Sequence, residues 1–131
     1  GRMGVKLMDK AQAIQNFWSS FGLKAYDENT VPTGDDAPKY PYITYNFGED
    51  FFGNDVSQSI SIWYRTPSWA AITSKSDEIG ERIGYGGRLV GYDGGAAWIR
   101  RGTPFSQRMS EPSDDMVRRI LINVEIEFMS E

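Results

Sequence analysis

The chain has 131 residues, with 14 basic and 18 acidic side chains and a formal charge of −4, one domain's worth of sequence that buries about two-thirds of its unfolded surface in a core. It contains neither cysteine nor histidine, which excludes disulfides, thiolate metal sites and the usual zinc ligands, suits a reducing compartment, and removes the side chain most used as a proton shuttle near neutral pH. The acidic balance argues against tight wrapping of a nucleic-acid backbone, though not against letting DNA slide past, and no stretch approaches the ~20 consecutive apolar residues of a membrane span.

From about Val5 to Phe21, Leu7, Ala11, Ile14, Phe17, Trp18 and Phe21 keep a helical beat, and Gly22 followed by Leu23 reads as a glycine stop. Lys24 to Tyr26 is a candidate short strand. DENTVPTGDDAPKYP then carries prolines and carboxylates without any period and reads as a long, acidic, exposed loop. Pro41 to Phe47 alternates as a strand, and GEDFFGND joins it to the next as a hairpin. In that next strand Val56, Ile60, Ile62 and Tyr64 fall on one parity and Ser57, Ser59, Ser61 and Arg65 on the other, with Gln58 and Trp63 breaking the pattern.

Thr66-Pro67 supplies an N-cap hydroxyl and a proline at the first helical position, so a second helix is expected to start there. Trp69, Ile72, Ile79 and Ile83 form its apolar stripe, Glu78 and Arg82 an i,i+4 pair, and Gly84 its end. Beyond it lie a strand at Arg88 to Tyr92, an Asp93-Gly94 turn and a strand from Ala96 to Arg101. Thr103-Pro104 interrupts, a short extended piece covers Phe105 to Met109, and EPSDD turns the chain into a last strand with Ile120, Ile122, Val124, Ile126 and Phe128 on one face. The expected fold is a single α+β domain over 1-131, of order α-β-β-α-β-β-β: a mainly antiparallel sheet of four to six strands with two helices packed on one face. GRMGVKLMDK lacks the apolar core of a signal peptide, giving the expectation of a soluble, unexported protein, and Gly1-Arg2 ahead of Met3 read as a cloning remnant.

No Walker loop, Gly-x-Ser-x-Gly elbow or calcium loop is present. Gly84, Gly86, Gly87 and Gly91 follow a helix, whereas phosphate-binding glycines follow a strand and open a helix, so they read as turn glycines. Asp35-Asp36 and Asp114-Asp115 lie in loops where acids serve as turn or cap residues. Glu125 and Glu127 share a strand face but alternate with a hydrophobic row, as any solvated sheet face does. No catalytic, cofactor or metal residue is assigned.

The compositional excess is aromatic, 14% with four tryptophans. Trp63, on the polar parity of its strand, and Trp98, beside Arg100-Arg101, are the two least explained by a core. A ligand-stacking platform, a subunit interface and a second small core cluster all accommodate them. Phe51 and Phe52, in a loop between Asp50 and Gly53, form an apolar tip in a charged rim. The candidate contact residues are therefore Phe51, Phe52, Trp63, Trp98, Arg100 and Arg101.

The runs SISIWYRTPSWAAITSKSDEIGERIG, YDGGAAWIRRGTPFSQRM and DDMVRRILINVEIEF resemble small structural proteins of long-tailed bacteriophages and prophages, of the tail-terminator or minor tail type. The resemblance covers the domain from the first helix to the last strand and rests on phrases and layout, not on a chemical motif. It implies an α+β subunit without an active site or cofactor that assembles into a ring, usually hexameric, capping the tail tube and joining it to the neck. The implied partners are further copies of the chain, the tail-tube protein and neck or connector proteins. DNA would pass through without specific binding, and the location would be the virion tail, assembled in the bacterial host cytoplasm. A head–tail connector or tail-completion protein shares this size and organisation. From other classes come a carbohydrate- or ligand-binding module using Trp63 and Trp98, and a carboxylate-type metal hydrolase limited to Asp, Glu or Lys as base.

Overall fold

A computed structural model describes residues 8–46 and 55–130. In chain order the elements are α1 (Lys10–Ser19), β1 (Lys24–Asp27), two 3-10 turns (Glu28–Thr30 and Gly34–Asp36), β2 (Tyr42–Asn46), β3 (Asp55–Arg65), α2 (Ala70–Ile83), β4 (Arg88–Tyr92), β5 (Gly95–Met109) and β6 (Val117–Ser130). The strands form one sheet in the order β1-β2-β3-β6-β5-β4. The fold is α+β. All strand pairs are antiparallel except β1 with β2, where Lys24 to Asp27 run parallel to Tyr42 to Tyr45.

Strand periodicity sorts the sheet into two faces. Val56, Gln58, Ile60 and Ile62 of β3 are buried, as are Ile120, Ile122, Val124, Ile126 and Phe128 of β6, and Ile43 and Tyr45 of β2. Register places these side by side, Ile62 against Ile43 and Ile120, Ile60 against Tyr45 and Ile122. Onto this inner face pack Ile14, Phe17 and Trp18 of α1 and Ile72, Ile79 and Ile83 of α2, all in one hydrophobic cluster. Each fully buried isoleucine contributes roughly 1.5–3 kcal/mol relative to exposure. The outer face carries the opposite parity and, among the described residues, no helix.

The sheet is curled, and α1 lies beside both of its edge strands. On one flank, Gln15 Nε2 donates to the Ala25 carbonyl of β1 at 3.0 Å. On the other, the Asp93 N–H just past β4 donates to the Met8 carbonyl at 2.7 Å, and Ala13, Asn16 and Phe17 face Arg88 to Gly91 across a shallow groove. Covering a strand edge with a helix is a common protection for its unpaired backbone groups.

Several boundaries differ from expectation. Helix α1 begins at Lys10, not near Val5. Asp9 is its N-cap, accepting from the Gln12 N–H at 2.8 Å, while Gln12 Oε1 accepts from the Asp9 N–H at 3.4 Å. This reciprocal capping box defines the start more strongly than the apolar beat. Ala11 is exposed and Ala13 takes the buried position. Helix α2 begins at Ala70, not at Pro67, because the Thr66 N–H still bonds the Met116 carbonyl at 2.8 Å, holding the chain to the sheet. Ser68 Oγ, not Thr66, accepts from the first helical N–H, at 3.0 Å. Gly84 does end α2, with φ 74° and its N–H on the Gly80 carbonyl.

The acidic loop contains the two 3-10 turns, the first capped by the Asp27 side chain on the Asn29 N–H at 2.9 Å. The interruption at Thr103-Pro104 does not divide β5. Register shifts there, from Arg101 opposite Val124 to Ser106 opposite Ile122, so four residues oppose Asn123 alone. Gly102 sits at that bulge, where a β-carbon would come within 2.8 Å of the Asn123 carbonyl oxygen. No helix among the described residues is long and apolar enough to cross a membrane.

Candidate functional site

The outer face is the surface that the helices leave free, and it divides into two flanks joined by a polar centre. In the centre Ser57 Oγ donates to the Glu125 carboxylate at 2.8 Å and Ser59 Oγ to Asn123 Oδ1 at 3.1 Å. Serine is the right size here, because cross-strand partners lie close enough for short side chains to bond directly.

On the β1–β2 flank, Tyr42, Trp63 and Arg119 are register partners across β2, β3 and β6. The Trp63 ring stacks on Tyr42 at 6.1 Å and 15°, and the Arg119 guanidinium lies 4.9 Å from its centroid on the other side. Its indole N–H donates to Thr44 Oγ1 at 2.9 Å. Arg119 also donates to Ser61 Oγ at 3.0 Å and pairs with Glu111 at 3.4 Å. Tyr26 and Tyr40 extend the cluster, packing on Tyr42 at 6.1 and 5.3 Å. Burial first, and then the neighbouring Tyr40, push the Tyr42 hydroxyl up to about 12. Both faces of Trp63 are thus occupied by the protein's own side chains.

On the β4 flank, Trp98 is the register partner of Leu89 and Glu127. Its indole N–H donates to the Gly86 carbonyl at 2.9 Å, and the Arg100 guanidinium covers its ring at 4.5 Å while reaching Asp55 at 3.8 Å. Arg101 is not part of this surface. Strand alternation sends it to the inner face, where its Nε donates to the Gly80 carbonyl of α2 at 3.2 Å and its guanidinium stacks on Tyr85 and Phe105 at 4.6 and 5.4 Å. Adjacent arginines in the sequence therefore serve opposite faces. Phe51 and Phe52 lie outside the described residues.

The carboxylate pairs do not converge. Asp114 accepts from the Met116 N–H at 2.9 Å and from Arg65 at 3.1 Å, and these two contacts, the backbone one first, hold its carboxyl below the usual value. Asp35 and Asp36 sit in the exposed second 3-10 turn. Among the described residues no three of His, Cys, Asp and Glu gather as a metal site would require.

Three outer residues escape the sequence reading, Tyr42, Arg119 and Leu89, as does Tyr85, which lies under Arg101 just past the end of α2. Tyr40 and Tyr42 share a parity, but which strands flank Trp63 is set by register, and only pairing reveals it. Tyr85, 98% exposed, and Leu89, 63% exposed, are legible as apolar residues among glycines and arginine but not as exposed ones. No family model matches this chain, and no curated protein matches it.

Proposed function

We propose that the chain is a structural subunit of a tailed phage or prophage, a tail terminator that forms a ring, hexameric by analogy with the proteins it resembles, capping the tail tube and joining it to the neck. The observation that carries the reading is the outer face: the fold offers a broad helix-free sheet surface, and the tryptophan best suited to a ligand platform, Trp63, is enclosed between Tyr42 and Arg119. A broad surface of aromatic and arginine side chains is the kind of feature that joins subunits. The location is then the virion tail, and the partners are further copies, the tube protein and the neck. The α+β order α-β-β-α-β-β-β, with an added short parallel edge strand, is compatible with that subunit class.

Tail-tube protein polymerised with and without this protein, viewed by electron microscopy, tests the reading. Tubes of defined length bearing a terminal ring only when the protein is present are expected. Tubes that grow without limit and stay undecorated at both ends overturn it. Phe51→Ser with Phe52→Ser sharpens the result: a variant that folds normally but no longer joins the tube places that loop at the contact, and one as competent as the parent removes it from the interface.

A further inference from the structure

At the end of the sheet where β5 stops and β6 begins, two arginines share the inner face. Arg108 lies opposite Ile120, which is buried, and Arg118 stands two residues before Ile120 on the same strand. Alternation therefore puts both arginines on one face of adjacent strands, as diagonal neighbours roughly 7–8 Å apart. Trp69, the N-cap residue of α2, brings their heads together: the Arg108 guanidinium lies 4.8 Å from its ring centroid and that of Arg118 lies 5.5 Å from it. The two charges are thus no farther apart than about 10 Å, a Debye length at 0.1 M salt, so each feels the other.

The charge around them is uneven. Arg65 pairs with Asp114 at 3.1 Å and Arg119 with Glu111 at 3.4 Å, so these two arginines at the same end each have a carboxylate of their own. Arg108 and Arg118 have none among the described residues. Arg118 is anchored on carbonyls, donating through Nη1 to Asp115 at 2.6 Å and through Nη2 to Pro67 at 2.9 Å. A carbonyl dipole holds a guanidinium in place without cancelling its charge. Arg108 is exposed, and its side chain makes no hydrogen bond among the described residues. The remaining acid is the Asp115 side chain, exposed and without an ion pair among the described residues, which offsets at most one of the two cations. One anchored guanidinium beside a free one, with positive charge in excess, is a pair whose mutual repulsion an anion relieves.

We propose that Arg108 and Arg118 bind an oxyanion of the phosphate class, free or carried by a phosphodiester. A carboxylate has two oxygens and is satisfied by a single guanidinium fork, whereas a phosphate offers oxygens to two forks at once. Arg118 supplies the fixed charge, Arg108 closes on the anion from the solvent side, and the Trp69 ring supports both guanidiniums. Nothing in this site depends on the tail reading above.

The four tryptophans give four indole signals in a nitrogen–proton correlation spectrum, and the one lost in Trp69→Phe reports the site. Inorganic phosphate added at constant ionic strength should move that signal along a saturable curve, and acetate should bind about tenfold more weakly or less. Arg108→Gln changes an exposed side chain and should keep the parent's Tm, yet raise the phosphate midpoint about tenfold or more. Arg108→Lys, which keeps the charge and loses the fork, should fall between the two. Arg88→Gln, the same loss of charge from β4, should leave the midpoint where it is. A short single-stranded oligonucleotide separates the sources. A shift at lower concentration than phosphate requires, weakening steeply with salt, assigns a nucleic-acid backbone, and a response to inorganic phosphate alone assigns a free anion. The proposal is overturned by the absence of a saturable shift, by an equal shift with acetate, by Arg108→Gln binding as the parent does, or by Arg88→Gln weakening binding as much as Arg108→Gln.

Discussion

Two tryptophans on opposite faces of the sheet obey the same local rule and have different surroundings. Trp18, on the inner face, is wholly buried, packs edge-on against Phe17 at 4.8 Å and donates its indole N–H to Gln58 Oε1 at 2.9 Å. Trp63, on the outer face, is half-buried between Tyr42 and Arg119 and donates to Thr44 Oγ1 at 2.9 Å. Both rings are amphipathic, so both bring a polar partner with them. Inside, that partner is an intrusion: Gln58 sits among aliphatic side chains and its amide Nε2 has no partner there. Outside, the partners are ordinary members of a polar face. The inner corner therefore depends on the core being complete, whereas the outer corner depends on cross-strand neighbours that tolerate water.

Trp18→Ala should give the largest effect, a loss of about 3–5 kcal/mol for a fully buried ring, against about 1–2 kcal/mol for Trp63→Ala, where one hydrogen bond and aromatic contacts are lost at the surface. Chemical denaturation of both variants checks it, and equal losses would break the contrast. Gln58→Leu comes next, costing about 1–3 kcal/mol because it leaves the Trp18 N–H buried and unpaired. Added to Trp18→Phe, the same change should cost far less than it does alone, since no indole N–H remains; additive losses would mean that the bond at 2.9 Å is not what holds Gln58 inside.

The tyrosines report both faces at once. Tyr42 outside and Tyr45 inside each have a hydroxyl raised from 10.0 to about 12, by burial first in both cases. Groups raised on folding contribute stability that is complete below the unfolded value and lost as pH climbs through the folded one. Stability should therefore fall between about pH 10 and 12, with tyrosinate absorbance from these two rings lagging until the protein opens. Phenylalanine at position 45 should relieve part of that loss, and an unchanged alkaline profile would rule out Tyr45 as a source. The smallest effect belongs to Asp114→Asn, at a partly exposed group. Its lowered carboxyl value means that its contribution is present above the usual carboxylate range and fades as pH falls below it, so the variant should differ from the parent by a barely detectable Tm shift at neutral pH and by none in strong acid.

Much of this architecture is legible in the residues because period and burial agree. Ile120 to Phe128 alternate with Leu121 as the one apolar residue on the outer parity, and α2 from Ile72 to Ile83 shows its stripe plainly. The misplaced starts of both helices have local causes that periodicity does not carry: a capping box at Asp9, and a backbone bond from Thr66 to Met116 that delays the turn. Gln58 reads as a break in pattern until Trp18, forty residues earlier in the chain, is seen to need an acceptor. The outer face is the least legible part. Trp63 and Trp98 stand out by composition, but their neighbours are fixed by strand register, whereas the opposite faces of Arg100 and Arg101 follow from the plain alternation of the strand expected from Ala96 to Arg101.

The position of α1 bears on how reversible any assembly of this protein can be. A subunit that joins its neighbours by extending a sheet gains a row of backbone hydrogen bonds, and such joints dissociate slowly and resist salt. With a helix beside each sheet edge, any contact with another molecule is left to side chains, and charged side chains at a rim act mainly on encounter rates and are screened within about 10 Å at 0.1 M salt. Copies brought together this way can separate and try again, so faulty arrangements are corrected before they become permanent, and ionic strength becomes a dial on the whole process.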